Sequence, residues 1–117
     1  MAEKQVPLSV SERHKILFIE NTPKEELISY GKQYFAKGML YDALEYFEKA
    51  NEESLINEVK EKSIEEADLV LYQNVCRSLK REMSREELLR LKENAQKLGK
   101  ESVSNSVNTY LVSKEKK

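Results

Sequence analysis

Apolar residues recur at intervals of three and four along most of the chain, the spacing that places them on one face of an α-helix. Ala43, Leu44, Phe47 and Ala50 follow this rule, and so do Ala67, Leu71, Val75 and Leu79. The same rhythm returns in Leu88, Leu91, Ala95 and Leu98, and again in Val103, Val107, Tyr110 and Leu111. Near the N-terminus the consecutive Ile16, Leu17, Phe18 and Ile19 fit a strand as well as a helix. No other segment offers a strand to pair with, so a short helix over 10–20 is expected.

Start and stop signals divide these stripes into elements. Thr22-Pro23-Lys24-Glu25 predicts a helix with Thr22 as N-cap, Pro23 in the first helical position and Glu25 completing a reciprocal cap. It runs to Lys37 and ends at Gly38, a residue suited to the left-handed conformation of a helix C-terminus. A second helix covers about 40–51. The acidic stretch that follows reads either as one helix from Ser54 to about Arg81 or as two, and the pattern Ser63-Ile64-Glu65-Glu66 favours a restart at Ser63. Ser84-Arg85-Glu86-Glu87 is a further capping box, opening a helix that Gly99 ends. A last helix spans about 101–112. Residues 1–9 and 113–117 read as flexible ends of a single helical domain over 10–112.

The composition agrees with an all-α class. Three glycines and two prolines in 117 residues are too few for the many tight turns of a sandwich or barrel. The charged fraction, 35%, exceeds the roughly one quarter usual for globular domains, which suits a thin helical assembly with much solvated surface. The expected architecture is five to six helices in antiparallel hairpins, forming a small right-handed array or bundle.

A formal net charge of -1 gives no overall attraction to nucleic acid or to an anionic membrane. A single cysteine, Cys76, excludes a disulfide framework and a Cys-rich zinc site. No apolar run approaches the roughly 18 residues a spanning helix needs. Residues 1–12 carry charges with no apolar core of the secretory type, so a cytoplasmic address follows by default.

One segment carries more than periodicity. In Leu27-x-x-Tyr30-Gly31-x-x-Tyr34, then Gly38, then Ala43-x-x-x-Phe47-x-x-Ala50, small residues alternate with large ones. Two antiparallel helices approach closely only where small side chains allow it, which Gly31 and Ala43 provide. Leu27, Tyr34 and Phe47 fill the space on either side, and Ala50 leaves room for a following element. This pattern, over about 24–55, resembles the tetratricopeptide repeat. It departs from the family at Leu55, where a proline is usual, and at Tyr30, where a smaller aliphatic is common. A degenerate second copy over about 69–98 has Tyr72, Val75, Cys76, Leu79, Leu88 and Ala95 in register. Lys92, however, falls where a large apolar residue belongs, and Leu91 is one position off.

The resemblance implies a non-enzymatic interaction module, an adaptor or scaffold in which the first helix of a pair lines a groove for a partner's peptide or helix. Carried to this chain, the groove residues are Glu25, Ile28, Lys32 and Phe35. The alternative is that Ile28 and Phe35 are covered by the N-terminal helix, whose Leu17 and Phe18 need a home. The basic and Asn clamp of chaperone-binding family members is not supported, since Ile28 and Lys32 stand at its first positions.

Two further surfaces stand beside this one. The stripe Leu88, Leu91, Ala95 and Leu98 suits self-association as a homodimer. Arg77, Lys80, Arg81 and Arg85 form a basic cluster that suits phosphates or an acidic partner, although the interleaved Glu82, Glu86 and Glu87 make a solvated face the simpler reading. Nucleic acid is accordingly the weakest partner class. His14 is the only histidine, and no second ligand stands at metal-binding spacing. Glu65/Glu66 and Glu86/Glu87 are adjacent pairs, which diverge on a helix and do not form an acid/base couple. No catalytic, cofactor or metal residue is therefore assigned.

Overall fold

A computed structural model describes residues 6–115. Among them there are helices and turns and no strand. The elements are α1 (Val10–His14), continued by a π-helical turn (Lys15–Ile19), then α2 (Lys24–Ala36), α3 (Leu40–Ala50), α4 (Glu53–Glu65), α5 (Leu69–Ser78), α6 (Arg85–Lys97) and α7 (Glu101–Glu115). The all-α class and its helical hairpins stand, with seven α-helices among the described residues where five to six were expected. The chain divides into two compact units, Met1–Val59 and Lys60–Lys117.

In the first unit, α1 is opened by a cap that sequence reasoning overlooked. Ser9 accepts from the Glu12 amide at 3.1 Å, and the Glu12 carboxylate accepts from the Ser9 amide at 3.4 Å. The signal was present as Ser-x-x-Glu. Four consecutive apolar residues cannot share one helical face, and the turn at 15–19 divides them. Ile16 and Leu17 are buried, while Phe18 and Ile19 are 68% and 67% exposed. The expected Thr22 cap does not form. Its hydroxyl donates backwards to the Ile16 carbonyl at 3.0 Å, satisfying the end of the preceding turn, and Pro23 stands at the N-cap of α2 without a side-chain bond. Residues 1–5 of the expected loose N-terminus lie outside the described residues. Beyond them Val6 is buried, and the Leu8 amide donates to the Tyr34 hydroxyl at 2.9 Å.

The α2–α3 hairpin is packed as small-large complementarity requires. Leu27, Tyr30, Gly31 and Tyr34 are the buried residues of α2, and Leu40, Ala43, Leu44, Tyr46, Phe47 and Ala50 those of α3. Gly31 lies directly against the Phe47 ring, so close that a Cβ there would stand 2.7 Å from Cδ1. Tyr46, absent from the predicted apolar face, is fully buried and stacks on Tyr34 with ring centroids 5.4 Å apart.

In the second unit, Ile64, Ala67, Tyr72, Cys76, Leu88, Leu91, Ala95, Val107 and Leu111 form one buried cluster, with Val103 and Tyr110 packed against it. The Tyr72 hydroxyl ties α5 to the start of α6. It accepts from the Ser84 amide at 3.1 Å and donates to Glu87 Oε1 at 2.8 Å, while Lys60 Nζ lies 2.8 Å from Glu87 Oε2. Burial and the bond to Glu87 both push the Tyr72 phenol upward. Half of the predicted Ser84 box forms, since Ser84 Oγ accepts from the Glu87 amide at 3.2 Å. The other half is replaced by Tyr72.

The region after Asn51 is two helices, but the break is not at Ser63. Ser63 is buried inside α4, and its hydroxyl donates to the Lys60 carbonyl at 2.6 Å. The chain turns at Ala67, and Asp68 caps α5 by accepting from the Leu71 amide at 3.1 Å.

One device ends five successive helices. The amides of Gly38, Asn51, Ala67, Lys80 and Gly99 each bond to the carbonyl three residues back. The next amide in each case bonds to the carbonyl five residues back. This double bond closes a helix C-terminus through one residue in the left-handed region. All five have positive φ, from 53° at Ala67 to 76° at Gly38. Only two are glycine, which is how a chain with three glycines folds into so many hairpins.

Candidate functional site

The residues of α2 that do not face α3 line a shallow hollow of about 470 Å³, formed by Glu25, Ile28, Ser29, Lys32, Gln33 and Ala36. The positions are spaced by three and four, so they form a strip opposite Leu27, Tyr30, Gly31 and Tyr34. Three of the four predicted groove residues, Glu25, Ile28 and Lys32, come together here. The fourth, Phe35, is half-buried and lies outside the lining. At about 100° per residue it is rotated away from the middle of the strip, towards its edge. Ser29, Gln33 and Ala36 were missed, although continuing the same helical spacing from Glu25 and Ile28 would have reached them.

Charge is arranged along this strip. Lys32 lies in the hollow with Glu25 about two turns before it. At the start of the helix Lys24 pairs with Glu52 at 3.3 Å, and its hydrogen bond holds the Glu52 carboxyl below its ordinary range. Ile28 supplies apolar surface between the charges. Such a strip offers an anchor for one aliphatic side chain, with a cation and an anion to fix direction.

The N-terminal helix takes a different position from one that would cover Ile28 through Phe18. Arg13 pairs with Asp42 and Glu45 on α3, and Phe18 and Leu17 line a hollow with Glu45, Glu48 and Lys49. Phe18 rests against the His14 ring, with centroids 5.5 Å apart.

The remaining candidate surfaces change character. Leu88, Leu91 and Ala95, read as a self-association stripe, are the fully buried inner face of α6, and only Leu98 is exposed. An amphipathic stripe has the same pattern whether it meets another copy or its own core. The basic cluster is split: Arg77 and Arg81 line one cavity, while Lys80 occupies a left-handed turn and Arg85 opens α6. Cys76 is buried, and His14 is exposed. Among the described residues no three His, Cys, Asp or Glu side chains stand together as a metal site, and no helix is long and apolar enough to cross a membrane.

No family model matches this chain, and neither a curated protein nor a solved structure matches it.

Proposed function

We propose that this chain is a non-enzymatic protein–protein interaction module, a tetratricopeptide-like adaptor that receives a peptide or helix of a partner on the outer strip of α2. The observation that carries this reading is the division of α2 into two faces. Leu27, Tyr30, Gly31 and Tyr34 are buried, while Glu25, Ile28 and Lys32 share one open hollow. The preferred partner segment presents an aliphatic side chain to Ile28, an acidic residue to Lys32 and a basic one to Glu25. Phe35 contributes at the margin of the strip.

The test is binding to a partner isolated with the full chain, using Ile28→Asp with Lys32→Glu. Both side chains lie outside the buried face of α2, so the fold should persist, as circular dichroism would report. Affinity should fall more than tenfold, because desolvated contacts at the centre of an interface carry most of the binding energy. A control, Leu89→Asp on the exposed face of α6, should bind as the parent does. Unchanged binding by the double variant removes α2 as the docking surface.

A further inference from the structure

The cavity between α5, the loop after it and the end of α7 holds the most varied chemistry in the second unit. It is an open cleft of about 570 Å³, lined by Gln73, Cys76, Arg77, Arg81, Glu82, Met83, Tyr110 and Ser113. This volume lies within the range of roughly 300–1,000 Å³ typical of small-molecule sites. Its wall is preorganised at one point, where Gln73 Nε2 donates to the Tyr110 hydroxyl at 2.7 Å across 37 positions of sequence. Met83, the Tyr110 ring and the nearly buried Cys76 form an apolar side. Arg77, which donates one hydrogen bond to Asn74 at 3.2 Å, and Arg81 form the charged side.

We infer that this cavity binds a compact monoanion, a carboxylate carried on a small apolar body. The sign follows from two guanidiniums, which present forked donors to a carboxylate. The single charge follows from Glu82, which lines the same cavity and leaves the wall with one net positive charge. A phosphate monoester, carrying about two charges, would bring excess negative charge beside Glu82. Residues 60–117 contain thirteen Lys and Arg against ten Asp and Glu, while residues 1–59 contain seven against eleven. The overall charge of -1 conceals this division. The apolar body would lie on Met83 and Tyr110, with the carboxylate towards Arg77 and Arg81.

The experiment titrates the isotope-labelled full chain with 3-phenylpropionate, with its neutral amide and with phenyl phosphate, following backbone amide shifts. For a ligand of this size, saturation at about millimolar concentration is expected. Shifts should centre on Gln73, Met83 and Tyr110, and the amide should bind about tenfold more weakly. Arg77→Gln with Arg81→Gln should weaken the carboxylate about tenfold. Glu82→Gln should tighten it severalfold, a gain that a damaged fold cannot produce. Raising the salt should weaken binding, since the charges are accessible to solvent. The inference is overturned by equal binding of the amide, by phosphate binding more tightly than carboxylate, by Glu82→Gln without effect, or by no saturable shift at these residues.

Discussion

Replacing Gly31 by alanine tests the close approach of α2 to α3. The added Cβ would collide with the Phe47 ring, lying 2.7 Å from Cδ1, where carbon atoms normally rest about 3.5–4.0 Å apart. Cε1 lies nearer still, so relief requires a movement of more than about 1 Å, and Phe47 is only 1% exposed, so the ring cannot swing into solvent. Forcing one carbon into such a contact costs about 2–3 kcal/mol. Alanine is also the better helix former, which returns about 1 kcal/mol. The net loss is then about 1–2 kcal/mol, and the urea midpoint should fall by about 1 M if the slope is about 1–1.5 kcal/mol/M. Circular dichroism through a urea titration measures this directly. Phe47→Leu should be partly compensating in the Gly31→Ala background, with a coupling energy of at least about 1 kcal/mol. Gly38→Ala is the contrasting variant, because nothing lies within 4 Å of its Cβ and its cost arises only from φ +76°. It should lose about 1 kcal/mol, and Phe47→Leu should not rescue it. A neutral or stabilising Gly31→Ala would refute the close packing of this hairpin.

Other substitutions test separate parts of the structure. Lys80→Gly should stabilise by about 0.5–1 kcal/mol in the same titration, because Lys80 is exposed with φ 55° and glycine adopts that conformation without a Cβ penalty. Tyr72→Phe should cost about 1.5–3 kcal/mol, since it removes partners from the Ser84 amide and from the half-buried Glu87 carboxylate. By contrast, Tyr46→Phe should be neutral or stabilising by up to about 1 kcal/mol, because the Tyr46 hydroxyl is buried with no hydrogen-bond partner among the described residues. Its phenol is already pushed up by burial, with the Tyr34 hydroxyl nearby adding to the effect. The Arg90 hydrogen bond lowers the Glu61 carboxyl, so this pair stabilises the fold above the ordinary glutamate pKa of about 4.3 and ceases to do so as pH falls through the depressed value. Arg90→Ala should therefore cost up to about 0.5 kcal/mol at neutral pH, the pair being half exposed, and nothing in stronger acid.

The helical class and most helix bodies were legible because the apolar spacing repeats over whole elements. The α2–α3 hairpin was legible further, in its small and large positions, although the direct contact of Gly31 with the Phe47 ring was not, since it depends on how two helices meet. Glu25, Ile28 and Lys32 fall on one strip of α2 by the same helical spacing, with Phe35 at its edge. Caps were less legible, because Ser or Thr near a helix end has more than one possible partner. Thr22 turned back to the Ile16 carbonyl, Ser63 bonded within its own helix, and the Ser84 box surrendered half of its bonds to Tyr72. Asn51 is of a type that adopts the left-handed region readily, but nothing local marks Ala67 or Lys80, whose conformation goes against their intrinsic preference.

By itself, then, the sequence determined the secondary-structure class and the faces of the helices, which depend on residues a few positions apart, and it marked the small and large positions of one hairpin. Tertiary structure alone decided that the α6 stripe faces its own core, that Gln73 meets Tyr110, and that Arg77 and Arg81 share a cavity with Met83. These depend on which helix each face meets, and a periodic stripe fixes an orientation without naming its partner.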